Sequence, residues 1–252
     1  MRADNHGEGG TMALLAKVFE AIKDHPNWKP YLLVLGVLGA SLFYGDAVLT
    51  PAMSVLGALE GLEVATVAFK PYIVPIAVGV LIGLFALQRG GSSKVGAIFG
   101  PITIVWFLVL SVSGIYGIIQ NPIVLTALNP LHAVEFLTNH GMASFLVLGA
   151  VVLVVTGAEA LYADMGHFGK SAIRTAWFAL VFPSLVLNYF GQGAIILKDP
   201  ATIANPFYYL FPSWALYPVI TLATCAAVIA SQATIAGTYS LTKQAVQLGF
   251  LP

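Results

Sequence analysis

The chain has 252 residues, of which 58% are hydrophobic and only 9% are charged, and its mean hydropathy is +0.88. A water-soluble domain carries about 25% charged residues, so this composition excludes a soluble globular protein and predicts a polytopic membrane protein. The formal net charge is +0, which leaves no basic surface for nucleic acid, and Cys225 is the single cysteine of the sequence, so no disulfide is expected.

Six stretches are apolar and long enough to cross a bilayer core, which requires about 20 helical residues. Backbone groups in lipid must be hydrogen-bonded within the spanning structure, so the spans are either helices or the strands of a closed barrel. The sequence lacks the alternation of period two that the strands of a barrel would show. We therefore predict an all-α integral membrane protein with six transmembrane helices. The predicted spans are 31–55, 72–88, 95–119, 143–163, 172–197 and 214–241. Residues 1–30 are assigned to a cytoplasmic N-terminal segment and 31–252 to the transmembrane domain.

Two of the connections between spans are long and partly apolar. In 121–141, Asn129-Pro130 is typical of a helix cap followed by proline at the first helical position, which predicts a short interfacial helix. The connection 199–214 is rich in aromatic residues, which suits the headgroup region of a bilayer. For both connections the pattern favours anchoring at the interface over gating.

Lysine and arginine alternate strictly between the two sides of the predicted bundle. The N-terminal segment, alternate connections and the tail together hold nine of them, whereas the other connections hold only Lys70 and Lys198. Because positively charged residues stay on the cytoplasmic side, both ends of the chain are predicted to be cytoplasmic. The nine are Arg2, Lys17, Lys23, Lys29, Arg89, Lys94, Lys170, Arg174 and Lys243.

Three carboxylates, Asp46, Glu159 and Asp164, lie inside or beside predicted spans. A charge at the bilayer centre costs at least about 2.5–3.5 kcal/mol, and intramembrane acids mark ion or proton pathways more often than structural sites. Counted along continuous helices from the inner edge, Asp46 and Thr156 lie about 20 Å up, Glu159 about 16 Å and Asp164 about 9 Å. The first three are thus expected near one level, and Asp164 at the cytoplasmic rim.

The neighbours of these acids favour a cation site. Thr50 follows Asp46 by four residues and shares its helix face. Pro51 has no N–H to donate to the carbonyl of Ala47, which frees a backbone oxygen. Such an oxygen-rich patch suits a hard cation. In span four, Gly157 next to Thr156 permits local unwinding, by which transporters expose backbone oxygens.

Four stretches of the sequence resemble the Kup-type potassium uptake permeases, the KUP/HAK/KT family. They are RADNHGEGG (2–10), FYGDAVLTPAMSVLGALEGLE (43–63), ALNPLHAVEF (127–136) and TGAEALYADMGHFG (156–169). The resemblance covers essentially the whole chain and implies the LeuT-like fold of the amino-acid–polyamine–cation superfamily, with two inverted five-helix repeats. It places the chain at spans three to eight of about twelve, so we expect a transporter fragment incomplete at both ends.

The resemblance also implies roles for residues on two of the spans. Asp46 and Thr50 match third-span positions associated with potassium coordination, and Thr156 and Glu159 match the sixth-span segment that faces the site. Potassium is therefore expected at Asp46 and Thr50, with Thr156 nearby. A carboxyl buried at mid-bilayer resists ionisation and can exchange a proton near cellular pH, so Glu159 is the predicted proton-coupling residue.

Three further residues are candidates for the pathway or its gating. Glu60 lies in the family's LEGLE stretch, where an entry path and an ordinary solvated acid are equally supported. Tyr44 and Tyr162 flank the acids, and packing is favoured over gating or cation–π contact for both.

The predicted function is secondary potassium uptake by proton-coupled symport in a bacterial inner membrane. No cofactor is expected beyond the transported K⁺ and the coupling H⁺, and the resemblance implies a homodimer in the full-length form. One alternative is a non-transporting half-protein or partner subunit. Another is an intramembrane aspartyl protease built on Asp46 and Asp164, which their difference in depth of about 11 Å disfavours, because two catalytic carboxylates must share one site.

Overall fold

The structure, a computed structural model, describes residues 9–23, 26–88, 93–154, 157, 162, 169–247 and 249. All regular elements within these residues are helical. The α-helices are α1 (Thr11–Ala21), α2 (Lys29–Ala65), α3 (Ile73–Gln88), α4 (Ser93–Gln120), α5 (Pro130–Asn139), α6 (Met142–Val154), α7 (Lys170–Ala176), α8 (Phe182–Lys198) and α9 (Leu216–Gln247).

Short helical turns connect these elements. A π-helical turn at Trp177–Val181 joins α7 to α8, so that Lys170–Lys198 forms one continuous apolar segment. Turns of 3₁₀ helix lie at Val67–Tyr72, Pro122–Leu128 and Pro200–Ala204. We call the end of the bundle that carries the connections 66–72, 121–128 and 199–215 the upper end.

Five of the helical segments are long and apolar enough to cross a membrane. They correspond to five of the six predicted spans. The five are Lys29–Ala65, Val67–Ala86, Ile98–Gln120, Lys170–Lys198 and Ser213–Gln247. The largest extension beyond a predicted span is in α2, whose 37 residues run from Lys29 to Ala65 without a break at Pro51. Among the described residues, none of the five segments corresponds to the predicted span 143–163, so the sixth span is not confirmed.

The predicted span 143–163 is not one regular helix. Among the described residues of this range, α6 has 13 residues and ends at Val154, Gly157 is not helical, and Tyr162 is helical again. Gly157 has a φ of 107°, which a right-handed helix excludes and glycine tolerates. The predicted unwinding is thus confirmed at Gly157 itself. The depths counted for Thr156 and Glu159 assumed a continuous helical rise through Gly157, and both residues lie outside the described ones.

Two pairs of helices form the body of the bundle, α2 with α9 and α4 with α8. Near the upper half, α2, α3 and α9 share an apolar core around the fully buried Val55. At the opposite end, Met12 and Leu15 of α1 are buried against α2 and α9, together with Phe43 and Leu241. The segment 9–21 is therefore packed onto the bundle rather than extended from it.

The α4–α8 contact is close because glycines meet at it. A Cβ added to Gly114 would stand 2.6 Å from the backbone nitrogen of Asn188, and one on Gly191 would stand 2.6 Å from Cα of Gly114. Across the same contact, the hydroxyl of Ser111 donates to that of Ser184 at 2.9 Å. Small residues joined by polar hydrogen bonds are the usual way for helices to associate in lipid, where apolar surface alone gives no preference for a neighbour.

The two long connections behave differently from each other. In the first, the side chain of Asn129 accepts a hydrogen bond from the backbone nitrogen of Leu131, and α5 follows, which confirms the predicted capped helix. In the second, Tyr208 and Leu210 are only 5% and 3% exposed. These two side chains therefore pack into the bundle, whereas Tyr209 and Trp214 of the same connection are 46% and 79% exposed, and anchoring of 199–214 at the headgroups stays a prediction.

Candidate functional site: a polar stripe on α2 and an adjoining cavity

Asp46 and Thr50 form a hydrogen-bonded pair on one face of α2. The hydroxyl of Thr50 donates to Oδ1 of Asp46 at 2.5 Å, and both residues are half-buried. The predicted shared face is confirmed. Because the hydroxyl hydrogen is directed at the carboxylate, the lone pairs of Thr50 Oγ1 and the second oxygen of Asp46 remain available to a cation.

The proline that follows this pair faces the interior. Ala47 follows Asp46 and Pro51 follows Thr50, and both Ala47 and Pro51 are buried. Since Pro51 has no N–H, the carbonyl of Ala47 lacks its usual partner within the helix. The free carbonyl therefore belongs to the neighbouring, buried face of α2, beside the Asp46–Thr50 pair.

Ser54 extends the polar stripe by one more helical turn. It follows Thr50 by four residues, and it lines a cavity of about 550 Å³ toward the upper end. We call Asp46, Thr50 and Ser54 the α2 polar stripe. The sequence analysis missed Ser54, although the spacing of four that linked Asp46 to Thr50 continues to it.

The cavity lies between α2, α4, α8 and α9, with residues 204–208 of the long connection forming part of its wall. Most of its lining is apolar, including Trp106 of α4, whose ring lies 5.6 Å from that of Phe207. The polar side chains in the lining are those of Ser54, Thr103, Asn188, Tyr189, Gln192, Asn205 and Tyr208. No charged side chain of the described residues lines it.

A chain of amide hydrogen bonds runs along the α8 wall. The amide nitrogen of Asn188 donates to Oγ of Ser113 at 3.2 Å and to the carbonyl of Leu110 at 3.4 Å. The oxygen of the same side chain accepts from the amide nitrogen of Gln192 at 2.6 Å. Asn188 is only 3% exposed, so this relay is anchored inside the α4–α8 contact.

Tyr208 closes the upper part of the cavity wall. Its hydroxyl donates to the carbonyl of Ala58 at 2.6 Å. Burial raises the pKa of Tyr208 above its ordinary value, and the negative charge of Glu60 adds to the shift. Tyr208 therefore stays a neutral hydrogen-bond donor at cellular pH, tying the connection 199–215 to α2.

The remaining predicted residues lie apart from the stripe or outside the described structure. Tyr44 is half-buried and its hydroxyl is 2.6 Å from Oγ1 of Thr242 on α9, which is the packing role that the sequence favoured. Glu60 is exposed on α2 near Tyr208. The backbone carbonyl of Tyr162 lies against Gly9.

Thr156, Glu159 and Asp164 lie outside the described residues. The last residue of α6, Val154, is two positions before Thr156, and its carbonyl accepts a hydrogen bond from Tyr189 of the cavity wall at 3.3 Å. The end of α6 is therefore next to the cavity.

Comparison with protein families decides which class of membrane protein this is. The profile of the K⁺ potassium transporter integral membrane domain matches residues 1–252. The chain belongs to the potassium transporter family. The resemblance noted from the four motifs is thereby confirmed, and membership in a family of transporters rules out the protease interpretation.

Three curated relatives of this chain come from bacteria. It is 64% identical over 252 residues to the probable potassium transport system protein Kup 2 of Cupriavidus necator, and 59% identical to the Kup 2 protein of Chromobacterium violaceum. It is 57% identical over 254 residues to the probable Kup protein of Thiobacillus denitrificans. All of this chain is covered in each case, and it spans 40% of the length of each relative. No solved structure matches the chain, so the LeuT-like fold stays a prediction.

Proposed function

We propose that this chain supplies the cation path of a potassium importer driven by proton symport. The observation that carries the proposal is the hydrogen-bonded Asp46–Thr50 pair, half-buried in a helix long enough to cross a membrane. The relatives named above are described as potassium transport proteins, and this chain matches the membrane domain of that family along its whole length.

The chemistry of the pair suits a partly dehydrated potassium ion. K⁺ leaves water readily only where oxygen ligands replace its hydration shell. The α2 polar stripe offers a carboxylate and two hydroxyls in successive helical turns, and the carboxylate supplies the negative charge that offsets dehydration. In this proposal K⁺ binds at Asp46 and Thr50, and Thr156 contributes from the segment that follows α6.

We assign proton coupling to Glu159, on the argument that a carboxyl near the bilayer centre takes up and releases a proton near cellular pH. Asp46 then serves the ion and Glu159 the proton. The proposal that the site is completed by the remainder of a longer protein rests on the 40% of each relative that this chain spans. A partner subunit or non-transporting half-protein is the competing proposal.

The uptake experiment uses a chimera in which this chain replaces the matching residues of the Cupriavidus necator relative. In a host lacking potassium uptake, the chimera is expected to restore growth on low potassium, whereas the 252-residue chain alone is not. The physical reason is that this chain spans 40% of the relative and so supplies only part of the path across the membrane. Growth on the chain alone contradicts this model of the site, and failure of the chimera contradicts the transport proposal.

Proton coupling is tested on the same chimera. Uptake of K⁺ is expected to rise with an inward proton gradient and to fall when a protonophore collapses it. In the Glu159→Gln variant, any uptake that survives is expected to ignore the gradient. A variant that still follows the gradient as the parent does removes Glu159 from the proton path.

The orientation of the chain follows from the nine-to-two distribution of lysine and arginine. We propose that both ends are cytoplasmic, that the upper end faces outward, and that the protein resides in the plasma membrane, with a homodimer in the full-length form. Reporter domains fused after Lys94 and Lys170 are expected in the cytoplasm, and those fused near Glu135 and Pro206 outside. One reversed fusion undoes the assignment.

A further inference from the structure

The amide relay on the cavity wall has a fixed direction. The carbonyl of Leu110 only accepts hydrogen bonds, so the side-chain group of Asn188 beside it must be the NH₂. The Oδ1 of Asn188 therefore faces Gln192, and Gln192 must present its own NH₂ in return, at 2.6 Å. A backbone carbonyl in α4 thus determines how the amide of Gln192 is turned.

This orientation leaves the side-chain carbonyl oxygen of Gln192, Oε1, without a hydrogen bond in the relay. Gln192 lines the cavity and is half-buried, and its Oε1 has no hydrogen-bond partner among the described residues. An amide oxygen held by a buried relay is a preorganised ligand, because Asn188 and Ser113 behind it, at 3% and 5% exposure, prevent the amide from turning over.

The surroundings of this oxygen select the kind of ligand. Ser54 offers a hydroxyl from α2, and Trp106 offers an aromatic ring from α4. Neutral oxygens and an aromatic face attract a cation. No charged side chain of the described lining would hold it tightly, and weak sites in series let an ion enter and leave.

We propose that Gln192 is a ligand in a second, weak subsite for a partly dehydrated monovalent cation, in the cavity toward the upper end. Ser54 links this subsite to the Asp46–Thr50 pair, since it lies about 12 Å further along α2 than Asp46. The subsite rests on the proposed function and deepens it. It assigns to α8 a role in the ion path that the sequence motifs did not indicate.

Two substitutions with opposite expected effects test the subsite in the chimera. Gln192→Met removes the oxygen at nearly constant volume and is expected to raise the half-saturating K⁺ concentration about fivefold, the loss due to one neutral oxygen ligand. Gln192→Glu adds a negative charge and is expected to lower it by about threefold or more. Gln120→Met makes the same change at an exposed position at the end of α4 and is expected to leave it unchanged.

The opposite signs separate a ligand from a structural residue. Both variants lose the donor to Asn188, so a merely structural role moves half-saturation in the same direction for both. Same-direction shifts overturn the subsite, as does a Gln192→Met chimera that matches Gln120→Met, and either result leaves the transport proposal standing. If Gln192→Met is absent from the membrane, Gln192→Glu decides, and an unchanged half-saturation overturns the subsite.

Failure of the parent chimera to import K⁺ overturns the proposed function but not yet the subsite. The purified 252-residue chain then decides. Its unfolding temperature in detergent is compared in potassium chloride and in N-methylglucamine chloride at equal ionic strength. Stabilisation by K⁺ that Gln192→Met abolishes supports the subsite, and no stabilisation of the parent chain overturns it.

Discussion

Asp46→Asn in the chimera is expected to reduce the rate of K⁺ uptake at low potassium by about 100-fold, while its abundance in the membrane stays near that of the parent. In the parent, the hydroxyl of Thr50 donates to Oδ1 of Asp46 at 2.5 Å. Asparagine keeps the shape of the side chain and an oxygen that can accept the same hydrogen bond. What it removes is the negative charge that offsets the dehydration of the ion. Initial rates of rubidium uptake, normalised to protein in the membrane, give the measurement.

Two companion variants sharpen the result. Thr50→Val removes one oxygen and is expected to raise the half-saturating K⁺ concentration with a smaller loss of maximal rate. Asp199→Asn makes the same substitution at an exposed helix cap, where asparagine accepts the hydrogen bond from Ala201 as well as aspartate does. It is expected to transport as the parent does. Normal uptake by Asp46→Asn would show that the carboxylate is structural.

Gly114→Ala is expected to destabilise the purified chain by about 2 kcal/mol and to lower its unfolding temperature by roughly 5 °C. The new methyl group would stand 2.6 Å from the backbone nitrogen of Asn188 and closer still to the carbonyl of Leu187. Backbone atoms of a packed helix cannot move aside as a flexible side chain can, so α4 and α8 must separate. The separation also strains the relay from Asn188 to Ser113 at 3.2 Å.

The matched control is Gly79→Ala on α3, where an added Cβ meets nothing within 4 Å. It is expected to unfold at the temperature of the parent or slightly above, since alanine has the higher helix propensity. Equal unfolding temperatures for the Gly114 and Gly79 variants would mean that α4 and α8 do not meet at these glycines.

Several features followed from the sequence because they depend only on residues close together in the chain. Thr50 donates to Asp46 because a helix returns to the same face after four residues, whatever surrounds it. Asn129 caps α5 for a similarly local reason, since its side chain reaches the nitrogen of Leu131 two residues on. Five spans followed from hydropathy, because a long apolar segment has to be helical in lipid.

The features that build the cavity depended on which helices became neighbours. Tyr208 comes from a connection whose composition suits the membrane interface, yet its hydroxyl bonds to Ala58, 150 residues away in the chain. The orientation of the Gln192 amide is decided by a backbone carbonyl of Leu110 in another helix, through Asn188. Hydropathy is nearly uniform along such spans, so it identifies a helix that crosses the membrane but not the helix beside it. That choice is made by the close fit of Gly114 to Gly191 and by hydrogen bonds across the contact, and these exist only once the helices are packed.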